Sequence, residues 1–552
     1  MTPLVSFAER RVIIMRADLI LKSNNIFTST SDKPISGGVA IKGNKILAVG
    51  EDFEAFLGPE TEVREYGDKL IMPGFIDAHV HIFLAGLAAS EQVCGELIAS
   101  SSEAECAAMI KEFAEQHPDE KRIRGYGWFP ANWNDAPLPT KKSLDEAVPD
   151  RPVYLVVADG HTLWMNSLAL EEAGITVDMK PKSGSVGKLE NGELSGLLFE
   201  LDAMAPAMEK VMELDIEPMK KLHREFMGHM NKWGVTSISD ITAYDYNDTT
   251  YRNYSAVREM EREGSLTCRI HLYTKLDGYR DFTKALEYQK EFCSEKLRLS
   301  GVKGFIDGVT STFTGLLLEP YSDRPDTCGV GVPTVAKEDN MDYVAAANKA
   351  GLPVRLHCIA DGSVRMALDI YEHSQRENGE LPFCNAIEHI ENIHPDDIPR
   401  FAELSVIPSM QPYHLTLDFN EKIGRIGRER CRWEWPHRSL LDAGAQLAFG
   451  TDHPAIDFNP FPNLYAAVTR LDDEGKPTGV NPEECIELSE ALTAYTAGAA
   501  KSYNRDDIGV LEAGKLADVI VVDRDLFSIP PEEIRDASVV LTIMDGAIVY
   551  EK

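Results

Sequence analysis

The chain has 552 residues, 43% of them apolar, with 89 acidic against 56 basic side chains and a formal net charge of −33. That length would ordinarily mean several domains, although a barrel with insertions absorbs a large share as one unit, and the apolar fraction is ample for a large core. The excess of carboxylates argues against nucleic acid, anionic lipid and polyanions as partners and says little about a pocket, where local charge dominates.

Within residues 1–20, Glu9, Arg10, Arg11, Arg16 and Asp18 interrupt any signal-like apolar core, and no window is long enough to span a bilayer. No membrane partner and a cytoplasmic location are therefore expected. Residues 1–71 read as short strands with turns, including a Gly43-Asn44 hairpin signal, and residues 506–552 have the same character from 516 onward. Neither piece buries a comfortable core alone. Between them, in residues 72–505, strand-like runs alternate with amphipathic stretches such as 219–233 and 343–350, the βα alternation of a parallel barrel.

The apolar, glycine-marked run 71–81 closes on His79-Val80-His81. A strand projects alternate residues onto one face, so His79 and His81 point the same way while Val80 turns into packing. Two neutral imidazoles side by side suit a borderline metal ion. Residues from about 82 to 213 are too many for one βα unit, and Trp128, Pro130, Trp133, Pro137 and Pro139 mark them as a loop-rich insertion beside the barrel mouth, where insertions shape specificity.

Further candidate ligands arrive one at a time, each near the end of an apolar run: Lys303, His357, His389 and Asp452 followed by His453. Parallel barrel strands present their C-terminal ends to one mouth, so residues far apart in sequence converge there. Lys303 sits inside a buried-looking strand, where an unpaired ammonium is expensive to desolvate. By position alone it would snorkel or pair with Asp307. Asp240 and Asp307 end similar strands and are suited either to orienting ligands or to satisfying loop amides. Glu388 should alternate away from His389, and Cys358 away from His357 into the core. The nine cysteines form neither a CxxC zinc pattern nor a disulfide framework. No Gly-X-Ser-X-Gly elbow or activated Cys-His pairing points to a nucleophilic triad.

The ordered set His-X-His, Lys, His, His, Asp resembles the metal-dependent amidohydrolase superfamily. Segments such as Gly160-His161-Thr162-Leu163-Trp164, Gly234-Val235-Thr236-Ser237, Val302-Lys303-Gly304-Phe305, Gly450-Thr451-Asp452-His453-Pro454 and Gly509-Val510-Leu511-Glu512-Ala513-Gly514 narrow it to amidohydrolase family 3, which includes N-substituted formamide deformylases. They run in family order across nearly the whole chain. The resemblance implies a TIM-like (β/α)8 barrel with a small β-sandwich formed from both chain termini. It implies two divalent ions, zinc before manganese or iron. His79, His81 and Asp452 would hold the buried ion, and His357 and His389 the more exposed one. Lys303, carboxylated by carbon dioxide, would bridge both.

A hydroxide shared by two cations is available near neutral pH, because coordination lowers the pKa of water from about 15.7 towards ~7. It would attack the carbonyl of an amide-type C–N bond in a small molecule, not a protein peptide bond, while Asp452 accepts the proton and delivers it to the leaving nitrogen. The same fold also serves esters, lactones and cyclic amides, and some superfamily members have lost metal and act as structural or assembly proteins. That last reading requires missing ligands, and none is missing. The oligomeric state, a homo-oligomer included, stays open.

Trp128, His161, Tyr413 and His453 are the candidate substrate contacts, with Trp133, Trp164, Trp433 and Trp435 also placed near the mouth. Two departures from the family wording stand nearby: Ala360-Asp361-Gly362 where Gly-Asp-Arg is usual, and His453 where a small residue is usual. They point to a neutral or weakly polar amide with an aromatic or alkyl N-substituent, unless Arg355 or Arg438 holds a carboxylate.

Overall fold

The computed structural model describes residues 15–90, 92–95, 97–133, 137–158, 160–181, 184–329, 336–417 and 419–552. Residues 1–14, with Glu9, Arg10 and Arg11, lie outside the described residues. Eight parallel strands form the central sheet in sequence order: β1 (Phe75–Val80), β2 (Val235–Tyr244), β3 (Arg269–Lys275), β4 (Leu297–Phe305), β5 (Val354–Cys358), β6 (Ala386–His389), β7 (Ile407–Met410) and β8 (Ala448–Phe449). Helices follow the strands, and the whole is a TIM-like (β/α)8 barrel. The helix Ile216–Lys232 shows why: Met219, Leu222, Phe226 and Met230 recur at helical spacing and are buried, while Lys221, Arg224 and His229 face solvent.

Closure brings the two ends of the site together. After β8 the backbone nitrogen of Asp452 donates to the His79 carbonyl at 2.7 Å, and the His81 nitrogen donates to the His453 carbonyl at 3.0 Å. A parallel bridge between Val80 and His453 completes the seam. The last ligand segment is thus locked beside the first.

Strands from both chain ends share one eight-stranded sheet. Leu70–Pro73 pairs antiparallel with Val519–Val522, with Ile71 opposite Val521 and Pro73 opposite Val519. Arg269 on β3 ties that sheet to the barrel through Asp518 at 2.7 Å and Asp545 at 2.9 Å, with its guanidinium fully buried.

The segment between β1 and the helix Ile216–Lys232 is not the loop-rich piece expected. It builds its own five-stranded sheet, ordered Ser185–Lys188, Leu194–Phe199, Thr162–Met165, Val153–Val157 and Ile123–Trp128. Trp128, Trp133 and Trp164 form its centre with ring centroids 5.5–6.2 Å apart. Each indole donates to backbone oxygen, of Leu155, Ser100 and Thr140 respectively. Large aromatic area with a satisfied N–H makes a core, whatever prolines flank it. Among the described residues no helix is long and apolar enough to cross a membrane, and Cys358 is a buried core thiol.

Candidate metal centre

All six expected ligands, His79, His81, Lys303, His357, His389 and Asp452, line one cavity of about 140 Å³ at the C-terminal mouth of the barrel. His79 is buried at the end of β1, and His81 follows the strand as the residue preceding the helix Ile82–Ala89. Their Nε2 atoms lie 3.2 and 3.0 Å from Asp452 Oδ1. His389 Nδ1 is 4.0 Å from Asp452 Oδ2. Ring centroids of His79 and His389 are 4.7 Å apart, and those of His357 and His389 4.3 Å.

The environment holds these groups in ligating form. Burial pushes Asp452 up, but His79 and His81 outweigh it and keep the carboxyl well below its usual range. Burial drives His357 and His389 well below the ordinary imidazole value, Lys303 adding to it for the first and His357 for the second. Neutral imidazole is the form that binds metal. His357 Nε2 and His389 Nδ1 are buried with no hydrogen-bond partner. Such orphaned ring nitrogens are costly unless something outside the protein occupies them, so the donor set fits metal ions.

Lys303 is 1% exposed and forms no ion pair among the described residues. Burial lowers it to about 8, with Glu388 opposing and Arg355 reinforcing the shift. The alternative partner Asp307 is engaged elsewhere, accepting from the backbone of Ile359, Ala360 and Leu316.

Two of the expected ligands sit in left-handed backbone, Asp452 at φ 60° and His389 at φ 76°. Non-glycine residues are held there only when their surroundings over-determine it, and such strain gathers at functional sites. The twist at His389 also ends the strict alternation of β6. Glu388 consequently does more than face away: its Oε2 meets His79 Nδ1 at 2.7 Å, and its Oε1 accepts from Arg355 Nε at 2.5 Å. Burial raises Glu388, yet Arg355 and His79 hold it well below the normal carboxylate range. A carboxylate on Nδ1 fixes the ring and turns Nε2 towards the cavity. We expect Glu388→Gln to weaken zinc binding by roughly 10–100-fold, read by chelator competition; unchanged affinity would remove Glu388 from the site.

Asp77 was also missed by the reading of the sequence. It accepts from the backbone of His79 and Thr451 and from the Thr451 hydroxyl at 2.6 Å, tying β1 to the Asp452 loop, while burial lifts its carboxyl to about 7. Asp240 reaches the site through Thr242, whose hydroxyl donates to it at 2.7 Å and lies 3.3 Å from His81 Nδ1.

The substrate contacts divide. His161 lines the cavity, its Nδ1 2.9 Å from Glu200, a second lining residue with no signal in the sequence beyond its φ-independent identity as an acid. Trp128 does not line the cavity, because it is the centre of the insertion's core; Tyr126, two residues earlier on the same strand, does. Tyr413 instead donates to Asp473 at 2.6 Å. His453 is turned into packing between Phe226 and Phe458, its Nδ1 2.7 Å from the Ile456 carbonyl. Trp133, Trp164, Trp433 and Trp435 are likewise absent from the lining. Neither arginine is placed to hold a substrate carboxylate: Arg355 is buried against Glu388, the Ala78 carbonyl and Ser409, and Arg438 pairs with Glu490 and Asp442.

Comparison with known proteins agrees with this geometry. The model of the Amidohydrolase family matches residues 66–550. The chain is 32% identical to Protein LONG AFTER FAR-RED 3 of Arabidopsis thaliana over 97% of this chain and 92% of that one. It is 26% identical to the N-substituted formamide deformylase of Arthrobacter pascens over 97% and 98% of the two chains. Among solved structures, an uncharacterized metal-dependent hydrolase from Pyrococcus horikoshii OT3 superposes with a TM-score of 0.75 at 26% identity, covering 93% of this chain and 99% of that one.

Proposed function

Since the chain belongs to the amidohydrolase family, we propose that it is a binuclear metal hydrolase that cleaves an amide-type C–N bond of a small molecule. In this reading His79, His81 and Asp452 would hold one divalent ion and His357 and His389 the other, and Lys303, as its carbamate, would supply an anionic ligand to both. Zinc suits the imidazole-rich set, and manganese or iron also fit. When bound, the ions polarise the substrate carbonyl and make water acidic enough to attack near neutral pH.

The chain's own groups supply the rest. Asp452 takes a proton from the attacking water and passes it to the leaving nitrogen, so that a C–O bond forms as the C–N bond breaks and the amine departs neutral. Glu388 holds His79 in position, and Thr242 does the same for His81. His161 and Glu200 stand at the cavity wall, where they orient the substrate. A cavity of about 140 Å³ admits a small acyl group and not a folded polypeptide. The name of the Arthrobacter relative, an N-substituted formamide deformylase, supports an N-substituted formamide or similar small amide as the substrate.

The observation that carries this reading is the pair of orphaned ring nitrogens on His357 and His389, facing the cavity that His79, His81, Lys303 and Asp452 also line. The test is elemental analysis of active, reconstituted enzyme. About two transition-metal ions per chain are expected, falling to about one in a His357→Ala, His389→Ala variant. One tightly bound ion in the fully active wild type, with none lost in that variant, would leave a mononuclear enzyme using His79, His81 and Asp452.

A further inference from the structure

A second and larger cavity, of about 480 Å³, opens beside the metal-lined one. The two share Leu84, Gly160, Thr242 and Phe305 in their walls, so they adjoin there and one molecule could occupy both. One wall is the helix Leu201–Met212, which contributes Met204, Met208 and Met212. Unbranched, polarizable thioethers of this kind conform to a flexible aliphatic chain.

Acidic groups stand among these thioethers: Asp202 and Glu209 on the same helix, and Asp245 and Asp277 from other segments, line the cavity together with one cation, Lys275. Lys275 already faces Asp245 at 3.9 Å, and Asp245 also accepts from the Tyr279 hydroxyl. Asp277 is different: its Oδ1 is buried without a well-formed hydrogen bond, and the support its carboxyl receives comes from the Phe305 backbone amide and not from a side-chain donor. A carboxylate oxygen left unpaired beside an apolar wall is costly, and the cost is relieved when a cationic donor arrives. Burial pushes the Asp277 carboxyl up to about 7, Lys275 working against it. The carboxylate is thus short of positive charge as it stands.

We propose that this chamber receives the amine arm of the substrate, and that this arm is an aliphatic chain ending in an ammonium group, as in a mono-acylated diamine. The assignment rests on the preceding reading that an amide is cleaved at the metal centre. With an acyl group as small as the formyl of the N-substituted formamides for which the Arthrobacter relative is named, the amine is the longer arm and the methionine-lined chamber is left to it. The ammonium then meets Asp277 and the surrounding carboxylates.

Two measurements on the metal-loaded full-length protein test this. The first compares kcat/KM for formylated hexylamine, formylated hexane diamine and formylated aminohexanoate. A preference of about fivefold or more for the ammonium-terminated compound over the neutral one is expected, the carboxylate being poorest, since a partly screened ion pair contributes about 1 kcal/mol. Asp277→Asn should bring that ratio towards one, and Met208→Lys, at a half-buried position that tolerates a long side chain, should reverse it. The second measures calorimetric binding of hexyltrimethylammonium against hexanol, neither of which needs to be cleaved and the first of which cannot ligate metal. Tighter binding of the ammonium, weakened in Asp277→Asn, is expected. If amides are cleaved but the neutral compound is processed as well as the cationic one, the chamber assignment falls and the amide reading stands. If no amide is cleaved yet the ammonium binds as described, the amide reading falls and the cation site stands. If neither result appears, both fall.

Discussion

Replacing Lys303 by alanine should strip the enzyme of metal and activity together, with a loss of about a thousandfold in kcat/KM, or about 4 kcal/mol of barrier. The expectation follows from where the side chain is. A lysine that is 1% exposed, without an ion-pair partner among the described residues and lining a cavity with five histidines, is hard to explain as a stabilising group. As a carbamate it becomes an anion with two oxygens, which is what two neighbouring cations need. Burial has already brought the amine down to about 8, so the neutral form that reacts with carbon dioxide is accessible. Removing the ammonium should not unfold the barrel, since among the described residues no hydrogen bond or ion pair is lost with it, only a contact with the Phe305 ring, and thermal unfolding of the variant provides the control. Acetate or propionate should restore part of the metal content and part of the rate by filling the space with a carboxylate. A Lys303→Ala enzyme that keeps both metals and its rate would show that no bridge is made there.

The convergence of the six candidate ligands on one cavity was readable because each follows an apolar run of strand length and a barrel gathers strand ends at one mouth. His79 and His81 needed only the two-residue period of a strand; Lys303 needed only the cost of burying an ammonium. The groups that position those ligands were not readable in the same way. Glu388 was set aside by extending strand alternation through His389, whereas the left-handed backbone of His389 and of Ile390 ends that alternation, at φ 76° and 54°. Asp77 meets Thr451 across 374 positions, a contact made by barrel closure and marked by nothing local. The aromatic residues failed for a different reason. Trp128 and His453 are both near the mouth in sequence, but a tryptophan that can bury its whole surface does so, and His453 stacks on Phe226 rather than facing the cavity. Proximity along the chain to a ligand says little about which way a side chain turns. Likewise the prolines around Trp133 suggested loops, while three indoles in mutual contact, one pair stacked and two edge-on, organise a sheet.

Asp452→Asn should separate the two duties assigned to that residue. Asparagine has the same shape and is among the few residues at ease in left-handed backbone, so the φ of 60° and the hydrogen bond its backbone N–H donates to the His79 carbonyl should survive. A neutral carboxamide oxygen can still ligate, though more weakly, but it cannot take up a proton from water. We therefore expect kcat to fall by roughly 10³–10⁴-fold with KM little changed, in enzyme given enough metal to refill the site. The size of the loss should depend on the leaving group. An alkylamine cannot depart from carbon as its anion and needs the proton that Asp452 delivers, whereas a nitrophenolate leaves unaided. The deficit measured on an alkyl formamide should accordingly exceed that on a nitrophenyl formate by at least about tenfold. Equal deficits on the two substrates, at equal metal content, would mean that Asp452 activates the water without protonating the amine, and the leaving-group proton would have to come from another wall residue, with His161 first in line.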